Sequence, residues 1–97
     1  MRVIAIKILR EFWMKRTDSE QQLKTWYKEA SKANWKSPVD IKSEYPKASI
    51  LKSGRVVFNI CDNKYRLIIK VNYLRGWVFI RFIGTHHEYD KIDADKI

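Results

Sequence analysis

One cysteine, two prolines and three glycines among 97 residues leave little to staple or break this chain. A single Cys61 cannot close an internal disulfide, so the fold must rest on its hydrophobic core, and a lone thiol suits a reducing compartment. At the end of the apolar run Val56 to Ile60, Cys61 reads as a small core residue before it reads as a nucleophile. No apolar stretch approaches the roughly 18 to 20 residues that span a bilayer, and Val3 to Leu9 is too short and too broken by charge for a signal peptide. A soluble, unexported, cytoplasmic chain with no membrane partner is expected. Internal repeats, low-complexity tracts and the CxxC or HExxH spacings of metal sites are also missing. What remains is a chain with 45% hydrophobic and 13% aromatic residues, too apolar for disorder and long enough for one domain, residues 1–97, with one two-layered core.

Acids are scarce in the middle of the chain. From Lys47 to Arg81 eight basic residues (Lys47, Lys52, Arg55, Lys64, Arg66, Lys70, Arg75 and Arg81) face one acid, Asp62, so this third carries seven of the net nine positive charges. Such a field attracts polyanions, and nucleic acid is the commonest one inside cells. A membrane surface fits less well, because it asks for an amphipathic basic helix. The plainer reading is charge that only keeps the chain soluble.

Hydrophobic period divides the chain in two. Arg2 to Ala5 reads as a short strand or a lead-in to a helix. Leu9, Phe12 and Trp13 then recur at helical spacing and predict a helix from about Lys7 to Arg16. Thr17 with Glu20 has the form of a capping box that opens a second helix, whose apolar stripe is Leu23, Trp26, Tyr27 and Ala30. Ser37-Pro38 predicts a further short helix through Glu44, ended by Pro46. From Arg55 the period changes to that of strands. Val56 to Ile60, Tyr65 to Tyr73 and Trp77 to Ile83 form a three-stranded antiparallel meander, closed by turns at Asp62-Asn63 and Arg75-Gly76.

On the middle strand Leu67, Ile69, Val71 and Tyr73 share the face that packs on the helices. Arg66, Ile68, Lys70 and Asn72 share the other, expected to lie open to solvent or a ligand. The last strand stops at Gly84 and delivers His86, His87, Glu88, Tyr89 and Asp90 within six residues. Proton-transfer groups at the mouth of a rigid strand point to a site, although a solvated turn explains the same residues. A metal site is disfavoured, because adjacent residues on an extended segment point to opposite sides.

Three motifs, Val57-Phe58-Asn59-Ile60, Asn63-Lys64-Tyr65-Arg66-Leu67 and Gly84-Thr85-His86 followed by Glu88-Tyr89-Asp90-Lys91-Ile92, resemble in this order the HigB family of bacterial toxins. The resemblance extends over nearly the whole chain, including the Trp-rich helical half and Tyr45-Pro46-Lys47-Ala48-Ser49. It implies a RelE-like α+β fold with two N-terminal helices packed on an antiparallel sheet. It also implies cleavage of mRNA, often on the ribosome, and neutralisation by a HigA-like helix-turn-helix antitoxin, through which alone operator DNA would be bound. Arg66 matches an arginine that holds the scissile phosphate. His86 and Tyr89 match the polar end of the family's last strand, where acid–base groups sit. His87 falls outside that pattern and Asn59 has no assigned role, so both are secondary candidates. RelE-like enzymes differ in which groups move protons, so the match leaves the general base open.

Cleavage by the 2′-OH requires removing its proton, stabilising charge on phosphorus and protonating the leaving 5′-oxygen, with no cofactor. Imidazole, with an ordinary pKa of about 6.5, is the natural proton carrier. Catalysis is therefore expected at Arg66, His86 and Tyr89, and RNA phosphate contacts at Lys52, Arg55, Lys64, Lys70 and Arg81. Tyr89 reads equally as a core anchor. On a regular strand Arg81 and His86 face opposite ways, so they converge only if the chain bulges at Gly84. Two other classes fit the same charge: a non-catalytic RNA- or ribosome-binding inhibitor, and a subunit that only docks an acidic antitoxin.

Overall fold

Leu9, Leu23, Trp26, Ala30, Trp35 and Ile41 are buried together and draw three helices onto one face of a sheet. In the computed structural model, which describes residues 1–97, these helices are α1 (Ile6–Lys15), α2 (Glu20–Lys32) and α3 (Pro38–Glu44). Helices α1 and α2 fall where the apolar spacing placed them. The junction differs: Thr17–Ser19 forms a 3₁₀ turn and the Thr17 side chain caps nothing. The Ser19 hydroxyl instead donates to the Arg16 carbonyl at 2.6 Å, and the turn presents Asp18 to the sheet. At α3, Pro38 occupies the first turn after an extended Ser37 (φ −157°, ψ 166°), the conformation that proline favours in its predecessor. The Tyr45 hydroxyl donates to Glu29 at 2.5 Å and ties the end of α3 to α2.

The sheet has five strands in the order β1-β5-β4-β3-β2, with β1 at Arg2–Ile4, β2 at Ser49–Ile50, β3 at Arg55–Ile60, β4 at Tyr65–Asn72 and β5 at Trp77–Thr85. The meander β3-β4-β5 is antiparallel as read from sequence. The whole sheet is mixed, however, because β1 pairs parallel to β5 and closes its outer edge. Ala5, at φ 68°, then turns the chain into α1. A three-residue and a two-residue strand are too short to display a period, which is why β1 stayed ambiguous and β2 was missed. In the first hairpin turn Cys61 and Asp62 take the positive φ values (53° and 59°), and in the second Gly76 does (73°).

Alternation sorts the strands into two faces. Val56, Phe58, Ile60, Tyr65, Leu67, Ile69, Val71, Val78 and Ile80 meet the helices. The opposite face carries cross-strand rows: Asn59, Arg66 and Gly84; then Val57, Ile68 and Phe82; then Arg55, Lys70 and Phe79; then Asn72 with Trp77. This face is not the open surface expected from sequence. Val57 and Ile68 are buried although they lie outside the helix-side core. A short helix, α4 (His86–Tyr89), packs against β4 and β5, and Arg55 Nε donates to the Ile97 carbonyl at 2.8 Å. The C-terminal segment therefore crosses the face diagonally, with Ile92, Ala94 and Ile97 half-buried. It runs from α4 at the β4–β5 end to Arg55 on β3, on the face that carries the buried Val57 and Ile68.

Candidate active site

The chain leaves β5 at Thr85 and turns at once into α4. The Thr85 hydroxyl accepts the Glu88 N–H at 3.1 Å, and Glu88 Oε1 accepts the Thr85 N–H at 2.8 Å. The capping box read at Thr17 and Glu20 thus closes here, on the same Thr-x-x-Glu spacing. The Thr85 amide, with its hydroxyl beside it, holds the Glu88 carboxyl below the usual carboxylate range. The segment is therefore not extended, as expected, and its side chains are spaced differently. His86, Tyr89 and Asp90 gather on one side of a turn while His87 faces away.

Gly84 has a role other than the one expected. It continues the strand, buried and without a positive φ, opposite Arg66. A Cβ at this position would lie 2.6 Å from Phe82 Cζ and 3.0 Å from Glu88 Oε1, so glycine makes room for the ring and for the cap. The bulge instead falls at Arg81: Ile69 pairs with Ile80 and Ile68 with Phe82. It leaves Arg81 exposed, neither under the helices nor beside His86.

Strand β4 and helix α4 meet at Arg66. Its Nη1 donates to the carbonyls of Asn63 at 3.0 Å and Tyr65 at 3.3 Å, which fixes the guanidinium against the hairpin. The Tyr89 ring lies with its centroid 5.9 Å from Arg66 Cζ, a cation–π arrangement. The His86 N–H donates to the Lys64 carbonyl at 3.1 Å, binding α4 to the same hairpin. His86 Nε2 stands 3.6 Å from Asp90 Oδ2, with both side chains more than half exposed (54% and 57%). Arg66, His86 and Tyr89 thus occupy one corner, with Asn59 in register beside Arg66. A guanidinium with unused N–H donors, an exposed imidazole with a carboxylate neighbour and a phenol can bind an anion and move protons next to it.

The other candidates are dispersed. Lys64 gives its ammonium to Asp18 and lies 5.4 Å above the Tyr65 ring. The buried Tyr65 hydroxyl donates to the second Asp18 oxygen at 2.7 Å. Lys64 first, then Tyr65, lowers the Asp18 pKa, and Asp18 raises that of Lys64. Burial first, then Asp18, raises the Tyr65 phenol. Arg55 is engaged with the C-terminal segment and Lys52 stands exposed in the turn before β3. Lys70 and Arg81 line a hollow at the far end of the face, away from His86. His87 is exposed and adjoins Glu88. No three His, Cys, Asp or Glu side chains converge as metal ligands would.

Two pairings could not be read from sequence. Asp90, named in the cluster after Gly84, pairs with His86 only because α4 is helical, and Thr85-x-x-Glu88 is the signal that points to it. Nothing in the sequence marked Asp18, whose partners lie 46 and 47 positions away.

A family model described as HigB_toxin, RelE-like toxic component of a toxin-antitoxin system, matches residues 19–92. The matched span runs from the end of the 3₁₀ turn through α4 and contains Arg66, His86 and Tyr89. No curated protein matches the chain.

Proposed function

We propose that this chain, which belongs to the HigB family of RelE-like toxins and so has an antitoxin as its partner, is an endoribonuclease that cuts mRNA from the corner formed by Arg66, His86 and Tyr89. The observation that carries the reading is the stacking of Tyr89 on Arg66 at 5.9 Å, which brings the basic strand and the titratable turn together. In this reading Arg66, anchored through Nη1, holds the scissile phosphate with its remaining donors and stabilises the charge that grows on it. One proton carrier takes the 2′-OH proton as the 2′-oxygen bonds to phosphorus. A second protonates the 5′-oxygen as the phosphorus–5′-oxygen bond breaks. The products are a 2′,3′-cyclic phosphate and a 5′-hydroxyl.

His86 serves as one proton carrier, with Asp90 beside its Nε2 at 3.6 Å, and Tyr89 contributes its hydroxyl to the phosphate or to the second transfer. A positioned acid or base of this kind contributes roughly 10²- to 10⁴-fold in rate. Lys64, bound to Asp18, positions the hairpin that carries Arg66. The substrate is mRNA, engaged during translation in the bacterial cytoplasm. The partner is a HigA-like helix-turn-helix antitoxin, and operator DNA is reached only through it.

The test is to induce the chain and map RNA ends. New 5′-hydroxyl ends in mRNA are expected. Arrested translation without new ends would instead make the chain a binding inhibitor that uses the same basic surface.

A further inference from the structure

At the end of the face remote from His86, Trp77 and Phe79 stand on β5 with ring centroids 6.0 Å apart and perpendicular planes. Neither ring belongs to the core beneath the helices, and both remain partly exposed. They line a hollow of about 560 Å³ together with Lys70, Asn72, Leu74 and Arg81. Arg75 lies 5.3 Å from the Trp77 ring, and Arg2 pairs with Trp77 across the sheet and so shares its face. Lys70 and Arg81 thus line the hollow, Arg75 and Arg2 stand beside Trp77, and no acid lines it. Arg81 follows Trp77 and Phe79 at two-residue spacing, which puts its side chain on their face, and it lines the same hollow.

Two partly exposed aromatic rings in a hollow whose charged lining residues are all cations suit single-stranded RNA: rings take bases by stacking and cations take the phosphates between them. Position agrees with this. Trp77 and Gly84 lie on one strand, about 23 Å apart at roughly 3.3 Å per residue. RNA held at Arg66 therefore reaches the aromatic pair with a few nucleotides of chain, running along the β5 side of the C-terminal segment.

We infer that Trp77 and Phe79, rimmed by Arg2, Lys70, Arg75 and Arg81, form a base-stacking subsite for single-stranded RNA, a few nucleotides from the scissile phosphate. This rests on the reading of RNA as the substrate. The subsite gives sequence-tolerant affinity, because every base has a face to stack.

The test uses the full chain and a 2′-O-methyl RNA oligonucleotide of about ten residues, which binds but is not cut. An abasic position placed at the subsite should weaken binding by the wild-type chain roughly tenfold, and Trp77→Ala should cost about the same with an intact oligonucleotide. Trp77→Phe should restore affinity. The two losses should not add, because the missing base and the missing ring are one contact. Phe79→Leu replaces Trp77→Ala if the latter does not fold. Full affinity in a folded Trp77→Ala, or an undiminished abasic penalty in it, overturns the subsite. So does a Trp77→Ala chain that keeps RNA affinity and loses only its antitoxin. If these fail while wild-type induction still produces new 5′-hydroxyl ends, the subsite alone falls. If wild type produces no ends, the ribonuclease reading falls with it.

Discussion

Arg66 is held by two carbonyls and a ring, and a lysine could not reproduce this, since a single ammonium lacks the planar fork that can bond the hairpin and still offer free donors. Arg66→Ala is expected to slow cleavage about 10²- to 10³-fold without unfolding the chain, as loss of a charge-stabilising donor does elsewhere. Arg66→Lys should recover only a small part of that rate. Single-turnover cleavage with thermal unfolding as a control checks both. The identity of Arg66 was legible because it alternates with Leu67 and lies within a motif. Its neighbours were less so: Asn59 could be paired with it only once the hairpin register was known. Lys64 was expected to contact phosphate, and its ion pair with Asp18 was not legible because the two lie 46 positions apart.

Helix α4 is four residues long and would not stand as an isolated helix, so its cap must hold it. Removing the Thr85 hydroxyl or the Glu88 carboxylate should cost about 1 kcal/mol of local stability. Glu88→Ala is therefore expected to lower cleavage through misplacement of His86 and Tyr89, whereas Glu88→Gln, which still accepts the Thr85 N–H, should stay near wild type. Amide exchange at residues 88–92 would report the fraying directly. Glu88 has a lowered pKa, so the cap is intact above the ordinary glutamate value near pH 4.3 and weakens as pH falls through the lower folded value. Long elements could be read from sequence because periods of 3.6 and 2 repeat within them. Strands β1 and β2 and helix α4 are each shorter than two repeats of any pattern. The local signal at α4, Thr-x-x-Glu, also occurs at Thr17, where Asp18 draws the chain into a 3₁₀ turn instead.

Across the whole molecule, Asp18 joins the helical layer to the first hairpin through Lys64 and Tyr65, and so sets where Arg66 sits. Its depressed pKa means that the clasp contributes fully above the unfolded aspartate value near pH 3.9 and is lost as pH falls through the folded one. Asp18→Asn should therefore unfold at lower urea near neutral pH and lose less of its remaining stability on acidification than wild type, as urea titrations at several pH values would show. The surplus of basic charge was plain from composition. The diagonal crossing of the C-terminal segment was not, because Ile92, Ala94 and Ile97 carry no period and the buried Val57 and Ile68 read as part of an open face. That crossing divides the face into the Arg66 corner and the Trp77 hollow. The most direct test of the corner is RNA 5′-end mapping after induction of wild type, Arg66→Ala, His86→Ala, Tyr89→Ala and His87→Ala at matched levels of folded protein. New 5′-hydroxyl ends should appear with wild type and His87→Ala and should nearly vanish in the other three. Equal ends from all five chains would place the chemistry elsewhere.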